Sequence, residues 1–398
     1  MIQDELVARF RPFGSTVFTE MTALAKRTGA INLGQGFPDS DGPPELLAAA
    51  ANAIRAGHNQ YPPLAGVPEL RNAISARRLA DYGTHYDPDT EILVTAGATE
   101  AIAATIASLV APGDEVVVFE PYYDSYAAAI ALAGATLRPV RLRPVFGRFT
   151  FDPAELAAAI GPRTRLALVN TPHNPTGTVL NRAELAQIAA ICQEADLLVV
   201  TDEVYEYLTY DGVPHVPMAS LPGMAERTLT ISSAGKTFNA TGWKVGWVCG
   251  PAHLVTAVRT VKQYLTFAGG TPFQYAVADA LSDVEQWVAM QRDRLSSARD
   301  TLHSALTQAG WRCFACQGTY FFQADARSVG HADGTELCTE LATSAGVVAI
   351  PSSAFYADRD GGRELIRFAF CKSPSVIATA AQRLAGFAAD HDELRRAA

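Results

Sequence analysis

Two strand-like stretches decide the fold of this chain: DLLVVTDEV at 196–204 and TLTISSAGKTF at 228–238. Each begins as a short, largely β-branched run and ends in polar residues. A run that stays apolar along its length predicts a strand covered on both faces, because a half-exposed strand would alternate apolar and polar positions. Comparable runs stand at 91–97, 114–121, 165–172 and 244–250. The sequence therefore predicts a sheet of several buried strands.

Alanine-rich segments lie between these runs, at 46–56, 101–107, 127–135 and 154–159. Alanine favours helices, and helices alternating with strands predict an α/β fold with a mostly parallel sheet covered by helices on both faces. After about residue 280 the pattern changes to a long charged helix followed by shorter strand and helix patterns. We predict a large domain at 46–280 and a smaller α+β domain built from both chain ends, namely an arm at 1–45 and the segment 281–398.

Composition excludes several classes of protein. The chain has 398 residues, 48% of them hydrophobic, and a net charge of −9. These values are typical of a globular protein and argue against a nucleic acid or an anionic membrane as its partner. The amino terminus lacks the apolar core of a secretory signal, and the six scattered cysteines suggest reduced thiols, so a cytoplasmic protein is expected. Cys313 and Cys316 lack a second ligand pair at zinc spacing, and no metal site is predicted.

Lys236, one of only five lysines in the chain, admits two chemical interpretations. Gly235-Lys236-Thr237 after a strand resembles the end of a P-loop, but that motif needs a glycine where Thr230 stands. The alternative is a desolvated amine with a lowered pKa that forms a Schiff base. Asp202 favours this alternative, because a carboxylate in an apolar strand is costly unless it meets a cation. The protonated ring nitrogen of pyridoxal phosphate would be such a cation.

Other polar residues at the strand ends fit the same cofactor. Tyr205 and Asn174 could donate hydrogen bonds to its phenolate oxygen, and the helix amino terminus at 96–102 could bind its phosphate, with Gly97 allowing close approach. Each has a structural alternative: a helix cap for Asp202, a turn for Asn174 and a tight connection for Gly97. Their joint occurrence favours a single binding site, since ligands of open α/β sheets bind at the carboxyl ends of the strands.

Eight spaced motifs resemble those of class I, fold type I pyridoxal-phosphate aminotransferases, in the subgroup of the kynurenine, glutamine and methionine aminotransferases. The motifs are LGQGFPD, QYPPLAGVPELR, VTAGATEAI, FEPYYDSY, NTPHNPTG, TDEVYEYL, SSAGKTFNATGWKVGW and RFAF. The similarity runs from about residue 10 to about residue 390. It implies an enzyme that uses pyridoxal phosphate to move an amino group between an amino acid and a 2-oxo acid.

The resemblance also implies roles for individual residues. Lys236, Asp202 and Tyr205 match the catalytic residues, with Lys236 as Schiff-base lysine and proton carrier. The implied cofactor contacts add Gly97, Ala98, Thr99, Tyr123, Asn174, Ser233, Lys244 and, from the partner subunit, Tyr61. The implied substrate contacts are Gly36, Asn174 and Arg367, since a guanidinium binds a carboxylate through two parallel hydrogen bonds. The match at Tyr61 implies a homodimer with shared active sites.

The motifs leave the substrate open. The chain is also similar to bacterial N-succinyldiaminopimelate aminotransferases of lysine biosynthesis, which implies that substrate together with 2-oxoglutarate or glutamate. The alternative is an aromatic or sulfur amino-acid aminotransferase acting on kynurenine, glutamine or methionine, with cysteine-conjugate β-lyase as a side activity. A non-catalytic, cofactor-sensing module is disfavoured, because the resemblance begins within the first dozen or so residues and leaves no room for a DNA-binding domain.

Two further features stay open in the sequence. Arg138, Arg141, Arg143 and Arg148 are interpreted as a solvated strand face, and a role in binding a far substrate carboxylate is the alternative. The family resemblance also makes cis peptide bonds before Pro121 and Pro175 an expectation.

Overall fold

A computed structural model of the chain describes residues 6–14 and 16–397, with side chains as far as residue 389. Its helices are α1 (Val17–Thr28), α2 (Pro44–Arg55), α3 (Pro68–Tyr82), α4 (Gly97–Leu109), α5 (Ser125–Leu132), α6 (Pro153–Ala159), α7 (Arg182–Glu194), α8 (Ala234–Thr237), α9 (Ala252–Lys262), α10 (Thr271–Ser282), α11 (Val284–Gln308), α12 (Gly334–Glu340) and α13 (Pro374–Ala397). Its strands are β1 (Ile31–Asn32), β2 (Ile92–Ala96), β3 (Glu115–Glu120), β4 (Thr136–Arg141), β5 (Arg143–Val145), β6 (Arg148–Thr150), β7 (Thr164–Asn170), β8 (Leu198–Asp202), β9 (Thr228–Ser233), β10 (Val245–Cys249), β11 (Arg312–Cys313), β12 (Phe321–Asp325), β13 (Val347–Val348), β14 (Ile350–Pro351) and β15 (Leu365–Ala369).

The central sheet has seven strands in the order β2-β10-β9-β8-β7-β3-β4. Strand β10 is antiparallel to β2 and β9, and the remaining neighbours are parallel. Successive side chains of β3 point to opposite faces, as they must in an extended strand. Val116 and Val118 pack with side chains of α4, whereas Val117 and Phe119 pack with side chains of α7. The predicted α/β fold, with a mostly parallel sheet covered on both faces, is confirmed.

The sheet register brings several strand ends to one edge. Asn170 at the end of β7 is paired with Asp202 at the end of β8, and Ser233 at the end of β9 is paired with Gly246 of β10. Strand β10 begins at this edge beside Ala96, the last residue of β2. Polar residues far apart in the sequence therefore meet along a short stretch of the sheet.

A second, four-stranded antiparallel sheet has the order β11-β12-β15-β14. Buried side chains of this sheet share one core with side chains of α1, α11 and α13. Strand β1 pairs with β13, so a segment near the amino terminus joins one near the carboxyl terminus. The boundaries at 45 and 280 stay a prediction, and residues 1–5, 15 and 398 of the proposed domains lie outside the described residues.

Two local features complete the description. The peptide bonds before Pro121, Pro172 and Pro175 are cis, which confirms the expectation for the first and third. Within the part of the chain that the structure describes, no helix has the length and apolar character needed to cross a membrane.

Candidate active site

A cavity of about 650 Å³ opens where the strand ends meet. Every predicted site residue except Tyr61 lines it: Gly36, Gly97, Ala98, Thr99, Tyr123, Asn174, Asp202, Tyr205, Ser233, Lys236, Lys244 and Arg367. Tyr61 is 83% exposed, and its ring lies edge-on to that of Phe267, with 5.5 Å between the centroids. Within a single chain, Tyr61 is therefore apart from the other predicted residues.

Lys236 lies on the short helix α8, directly after β9. Ser233 caps this helix, because its hydroxyl accepts a hydrogen bond from the backbone N–H of Gly235 at 3.2 Å. The Lys236 amine donates to the hydroxyl of Tyr320 at 3.0 Å. Burial lowers the pKa of Lys236 to about 8, against the attraction of Cys371 and Asp202. Near pH 8 a large fraction of this amine is neutral and can accept a proton.

Asp202 ends β8 and is buried. Burial raises the pKa of its carboxyl group, and hydrogen bonds from the Tyr126 hydroxyl and the Val204 backbone N–H oppose that rise. The Tyr126 hydroxyl lies 2.5 Å from Oδ2, and the Asn170 side chain donates to the Asp202 carbonyl at 2.8 Å. Sequence reasoning missed Tyr126 and Asn170 as site residues. Tyr126 stands in the quoted FEPYYDSY and Asn170 ends a strand run, but neither position alone indicates Asp202 as a partner.

A cation and a helix amino terminus meet beside Gly97. This glycine has φ +78° and begins α4, whose first backbone N–H groups lack partners within the helix. A Cβ at Gly97 would lie 3.2 Å from Cε and Nζ of Lys244, so the lysine amine reaches over the start of the helix. Lys244 itself has φ +55°, unusual for a residue with a side chain. The combination suits a phosphate, because both the amine and the helix end attract anions.

Arg367, in β15, is 1% exposed. Its Nη1 donates to Asn174 Oδ1 at 2.9 Å and its Nη2 donates to the Gly34 carbonyl at 2.8 Å. Its Nε has no hydrogen-bond partner among the described residues. Burial lowers the pKa of the guanidinium to about 10, and the ring of Phe321 lies 4.0 Å from its central carbon. A buried cation with an unused N–H group suits the carboxylate of a bound substrate.

A buried ionic cluster lies on α3 and in the segments that follow β8. Arg78 donates to Glu203 at 3.2 Å and to Glu206 at 2.8 Å, and His215 Nε2 lies 3.1 Å from Glu203. The hydroxyl of Ser232 donates to Glu206 at 2.5 Å. Burial raises the pKa of Glu203, but Arg78 and His215 together lower it below its usual value. The cluster anchors residues adjacent to Asp202 and Ser233.

The four arginines at 138, 141, 143 and 148 do not take part in the site. They pair with Glu115 at 2.6 Å, Glu120 at 3.2 Å, Glu155 at 2.7 Å and Glu184 at 2.7 Å, in that order. None of them lines the cavity. Their proposed alternative role, binding a far substrate carboxylate, is therefore not supported within one chain.

The residues present fit pyridoxal phosphate on two structural observations. A buried carboxylate, Asp202, faces a cavity that also holds a partly buried lysine of lowered pKa. In the same cavity, the Lys244 amine lies over the helix start at Gly97, where an added Cβ would come within 3.2 Å of it. An acid for the ring nitrogen, an amine for the carbonyl and an anion site for the phosphate are thus present together.

Comparisons with known proteins agree with this geometry. A family model described as aminotransferase class I and II matches residues 28–384. The "Probable N-succinyldiaminopimelate aminotransferase DapC" of Mycobacterium tuberculosis is 52% identical over 386 residues, which are 95% of this chain and 97% of that protein. A methionine aminotransferase of Escherichia coli is 44% identical over 372 residues, 93% and 95% of the two chains. The solved structure of N-succinyldiaminopimelate aminotransferase from Mycobacterium tuberculosis has a TM-score of 0.94 and 53% identity, covering 96% of this chain and all of that one.

Proposed function

We propose that this chain, which belongs to the class I and II aminotransferase family, is an N-succinyldiaminopimelate aminotransferase of lysine biosynthesis with 2-oxoglutarate or glutamate as its amino partner. Family membership makes it a pyridoxal-phosphate-dependent transferase acting on an amino acid and a 2-oxo acid. The observation that carries the proposed substrate is the 52% identity to a protein of that name over almost the whole of both chains.

The chain offers a contact for each part of the cofactor. Lys236 would hold it covalently through Nζ, and Asp202 would hold the proton on its ring nitrogen. Tyr205 and Asn174 would donate to its phenolate oxygen, and Tyr123 would stack on its ring. The phosphate would be held by Ser233, Lys244 and the backbone amides of Ala98 and Thr99, at the helix start opened by Gly97.

The proposed proton carrier is the amine of Lys236. When bound, pyridoxal phosphate supplies a carbonyl group that takes up the amino group and a ring that stabilises negative charge at the α-carbon. Lys236 Nζ would remove the proton from the substrate α-carbon, which its lowered pKa near 8 makes feasible around neutral pH. Arg367 and Asn174, with the backbone of Gly36, would orient the α-carboxylate so that this proton faces the lysine.

Substitution of Lys236 tests the reaction. We expect Lys236→Ala to lower kcat by more than the roughly 10²- to 10⁴-fold that a positioned proton carrier contributes, because it removes both the carrier and the covalent attachment. Borohydride reduction followed by mass spectrometry should link the cofactor to the wild-type peptide and not to the variant. Lys26→Ala, which changes an exposed lysine, is the matched control. Undiminished turnover of Lys236→Ala would overturn the proposed reaction.

A second candidate substrate class has one observation in its favour. Four phenylalanines line the cavity, Phe13, Phe18, Phe37 and Phe321. Among the described lining residues, the lysines and arginines are those proposed to contact the cofactor or the α-carboxylate, so none is left for a far carboxylate. Aromatic walls favour apolar or aromatic side chains, as in methionine or kynurenine.

Comparison of kcat/KM separates the two classes. The purified enzyme would be assayed with N-succinyldiaminopimelate, kynurenine, methionine and glutamine, each with its appropriate 2-oxo acid. We expect the highest kcat/KM for N-succinyldiaminopimelate. A clear preference for kynurenine or methionine would refute the proposed substrate and would leave the reaction intact.

We also propose a cytoplasmic homodimer with shared active sites. Tyr61 does not line the cavity of its own chain, and its ring packs edge-on against the exposed Phe267. Tyr264 and Leu265, close to Phe267 in sequence, are exposed as well. A group of large exposed apolar side chains supports a protein interface, since monomers rarely leave such patches uncovered. In this arrangement Tyr61 would reach the phosphate of the cofactor in the partner subunit.

A further inference from the structure

We propose that Tyr320 is a positioning residue for the catalytic amine, and that its hydroxyl oxygen holds Lys236 Nζ by accepting a hydrogen bond. The inference rests on the proposed role of Lys236 as proton carrier. Tyr320 stands 84 residues after Lys236, immediately before β12 of the second sheet. It therefore joins the small sheet directly to the reacting amine.

The direction of this hydrogen bond follows from the number of protons available. The Tyr320 hydroxyl lies 3.0 Å from Lys236 Nζ and 2.6 Å from the carbonyl oxygen of Gly36. A carbonyl oxygen can only accept a hydrogen bond, and a phenol carries a single proton. The phenol proton is therefore committed to Gly36. Lys236 must then be the donor in the other contact.

Tyr320 is well placed to hold a fixed position. Its side chain is buried, and its ring packs edge-on against Tyr205 at 5.3 Å and Phe321 at 4.7 Å between centroids. Its carbonyl accepts the backbone N–H of Phe370 at 2.9 Å. Burial raises the pKa of the phenol well above its usual value, so the hydroxyl keeps its proton during catalysis.

A fixed acceptor orients the amine. With one N–H directed to Tyr320, the lone pair of the neutral amine must point elsewhere, and Lys236 lines the cavity that would contain the substrate α-carbon. The same contact favours the protonated amine, since an ammonium is the stronger donor. Burial has the largest effect on the pKa of Lys236 and lowers it. Of the charged or titratable groups nearby, Cys371 and Asp202 raise this pKa and Arg367 and Lys244 lower it, and the ring of Tyr205 faces the amine with its centroid 5.7 Å from Nζ.

The first experiment is steady-state kinetics of the holoenzyme with Tyr320→Phe, which removes the hydroxyl and keeps the ring. We expect kcat to fall by about tenfold while KM changes by less than about twofold, as expected for the loss of one hydrogen bond that positions the amine. Tyr210→Phe is the matched control, because its buried hydroxyl donates to the carbonyl of Thr319 and does not contact Lys236. A kcat for Tyr320→Phe equal to that of Tyr210→Phe would overturn the inference.

The second experiment measures the pKa of the Lys236 amine in the absence of catalysis. Lys236 in the full-length, cofactor-free chain would be acylated with acetic anhydride over a range of pH and quantified by mass spectrometry. Loss of the acceptor should shift the titration midpoint of Lys236 down by about half a unit or more in Tyr320→Phe, giving roughly threefold faster acylation at pH 7. Tyr210→Phe should leave the midpoint unchanged. An unshifted midpoint in Tyr320→Phe would contradict the proposed hydrogen bond.

A double variant separates failure of this inference from failure of the proposed function. In Lys236→Ala assayed with added methylamine as a substitute base, Tyr320→Phe should change the rescued rate by less than about twofold, because its effect passes through the lysine. A tenfold effect in that background would assign Tyr320 a role independent of Lys236 and overturn the inference. Full activity of Lys236→Ala without methylamine would instead overturn the proposed function.

Discussion

Lys236, Asp202 and Arg367 are ionisable groups that the fold removes from water, and burial disfavours the charged form of each. The pKa of Lys236 and that of Arg367 are lowered, while the pKa of Asp202 is raised. Their neighbours oppose these shifts only in part: the Tyr126 hydroxyl hydrogen-bonds Asp202 and lowers its pKa, and Tyr205 and Tyr320 raise the pKa of Arg367. Single hydrogen bonds therefore tune the site, and removing one should have a measurable pH signature.

The Tyr126→Phe variant tests whether a single hydrogen bond tunes the pKa of Asp202. Burial already raises the pKa of Asp202 and the Tyr126 hydroxyl lowers it, so removal of the hydroxyl should raise that pKa further. Cofactor binding that needs ionised Asp202 is present above this pKa and is lost as pH falls through it. We expect the acid-side loss of pyridoxal phosphate affinity to move to higher pH by about one unit, measured by absorbance titration.

The control for this experiment is Tyr86→Phe. The Tyr86 hydroxyl is buried, and Tyr86 does not line the cavity that Asp202 lines, so its removal should leave the profile in place. If Tyr126→Phe gives the wild-type profile, the hydroxyl does not tune the ionisation of Asp202.

At the scale of elements, the close approach of β10 to the start of α4 builds the proposed phosphate site. A Cβ at Gly246 would lie 2.6 Å from the backbone carbon of Gly97 and 2.7 Å from the nitrogen of Ala98, so a side chain at Gly246 would push the two elements apart. Antiparallel β10 begins directly after Lys244, which places that amine over the helix. The site therefore depends on a strand and a helix that lie more than a hundred residues apart in sequence.

A comparison of Gly97→Ala with Gly113→Ala distinguishes a loss of stability caused by backbone strain from a loss of cofactor affinity. Gly97 and Gly113 both have positive φ, at +78° and +91°, so alanine at either should cost about 1–2 kcal/mol of stability. A Cβ at Gly97 would meet Lys244, whereas one at Gly113 would meet nothing within 4 Å. We expect only Gly97→Ala to weaken pyridoxal phosphate binding, by about tenfold, the value of one charge-assisted hydrogen bond. Equal affinities in the two variants would refute the proposed phosphate contact.

At the scale of the whole molecule, the cavity draws on both sheets. Asp202 ends a strand of the central sheet and Lys236 lies on the helix that directly follows another, whereas Arg367 and Phe321 come from the second sheet. The loop containing Gly36 closes the same cavity and is tied to β12 through Tyr320. Tyr61 is the predicted contact that one chain does not supply, so a second copy is needed to complete the proposed site.

Mixed dimers test this sharing of residues. Lys236→Ala and Tyr61→Ala chains would each be poorly active alone. In a heterodimer, one site combines Lys236 of one chain with Tyr61 of the other and should be intact. Random mixing after denaturation and refolding should restore about a quarter of the wild-type sites, as closed two-fold symmetry requires. Activity equal to the average of the two parents would contradict shared sites.

The sequence by itself determined the strand runs, the helices between them and the polar residues that end each strand. These features are determined by residues that are close together in the sequence. A strand that is buried on both faces needs apolar residues at consecutive positions, as at 114–121 and 165–172. That is why Lys236, Asp202 and Gly97 could be selected as site residues before the fold was known.

Only the tertiary structure decided how the far-apart groups are partnered. The bonds of Tyr126 to Asp202 and of Tyr320 to Lys236 join residues 76 and 84 positions apart, and nothing local to a tyrosine encodes which buried group its hydroxyl will meet. The arginines at 138–148 could only be assigned to ion pairs once their glutamates were located. Hydrogen bonds act over about 3 Å in space, whatever the separation in sequence, so their partners are fixed by packing.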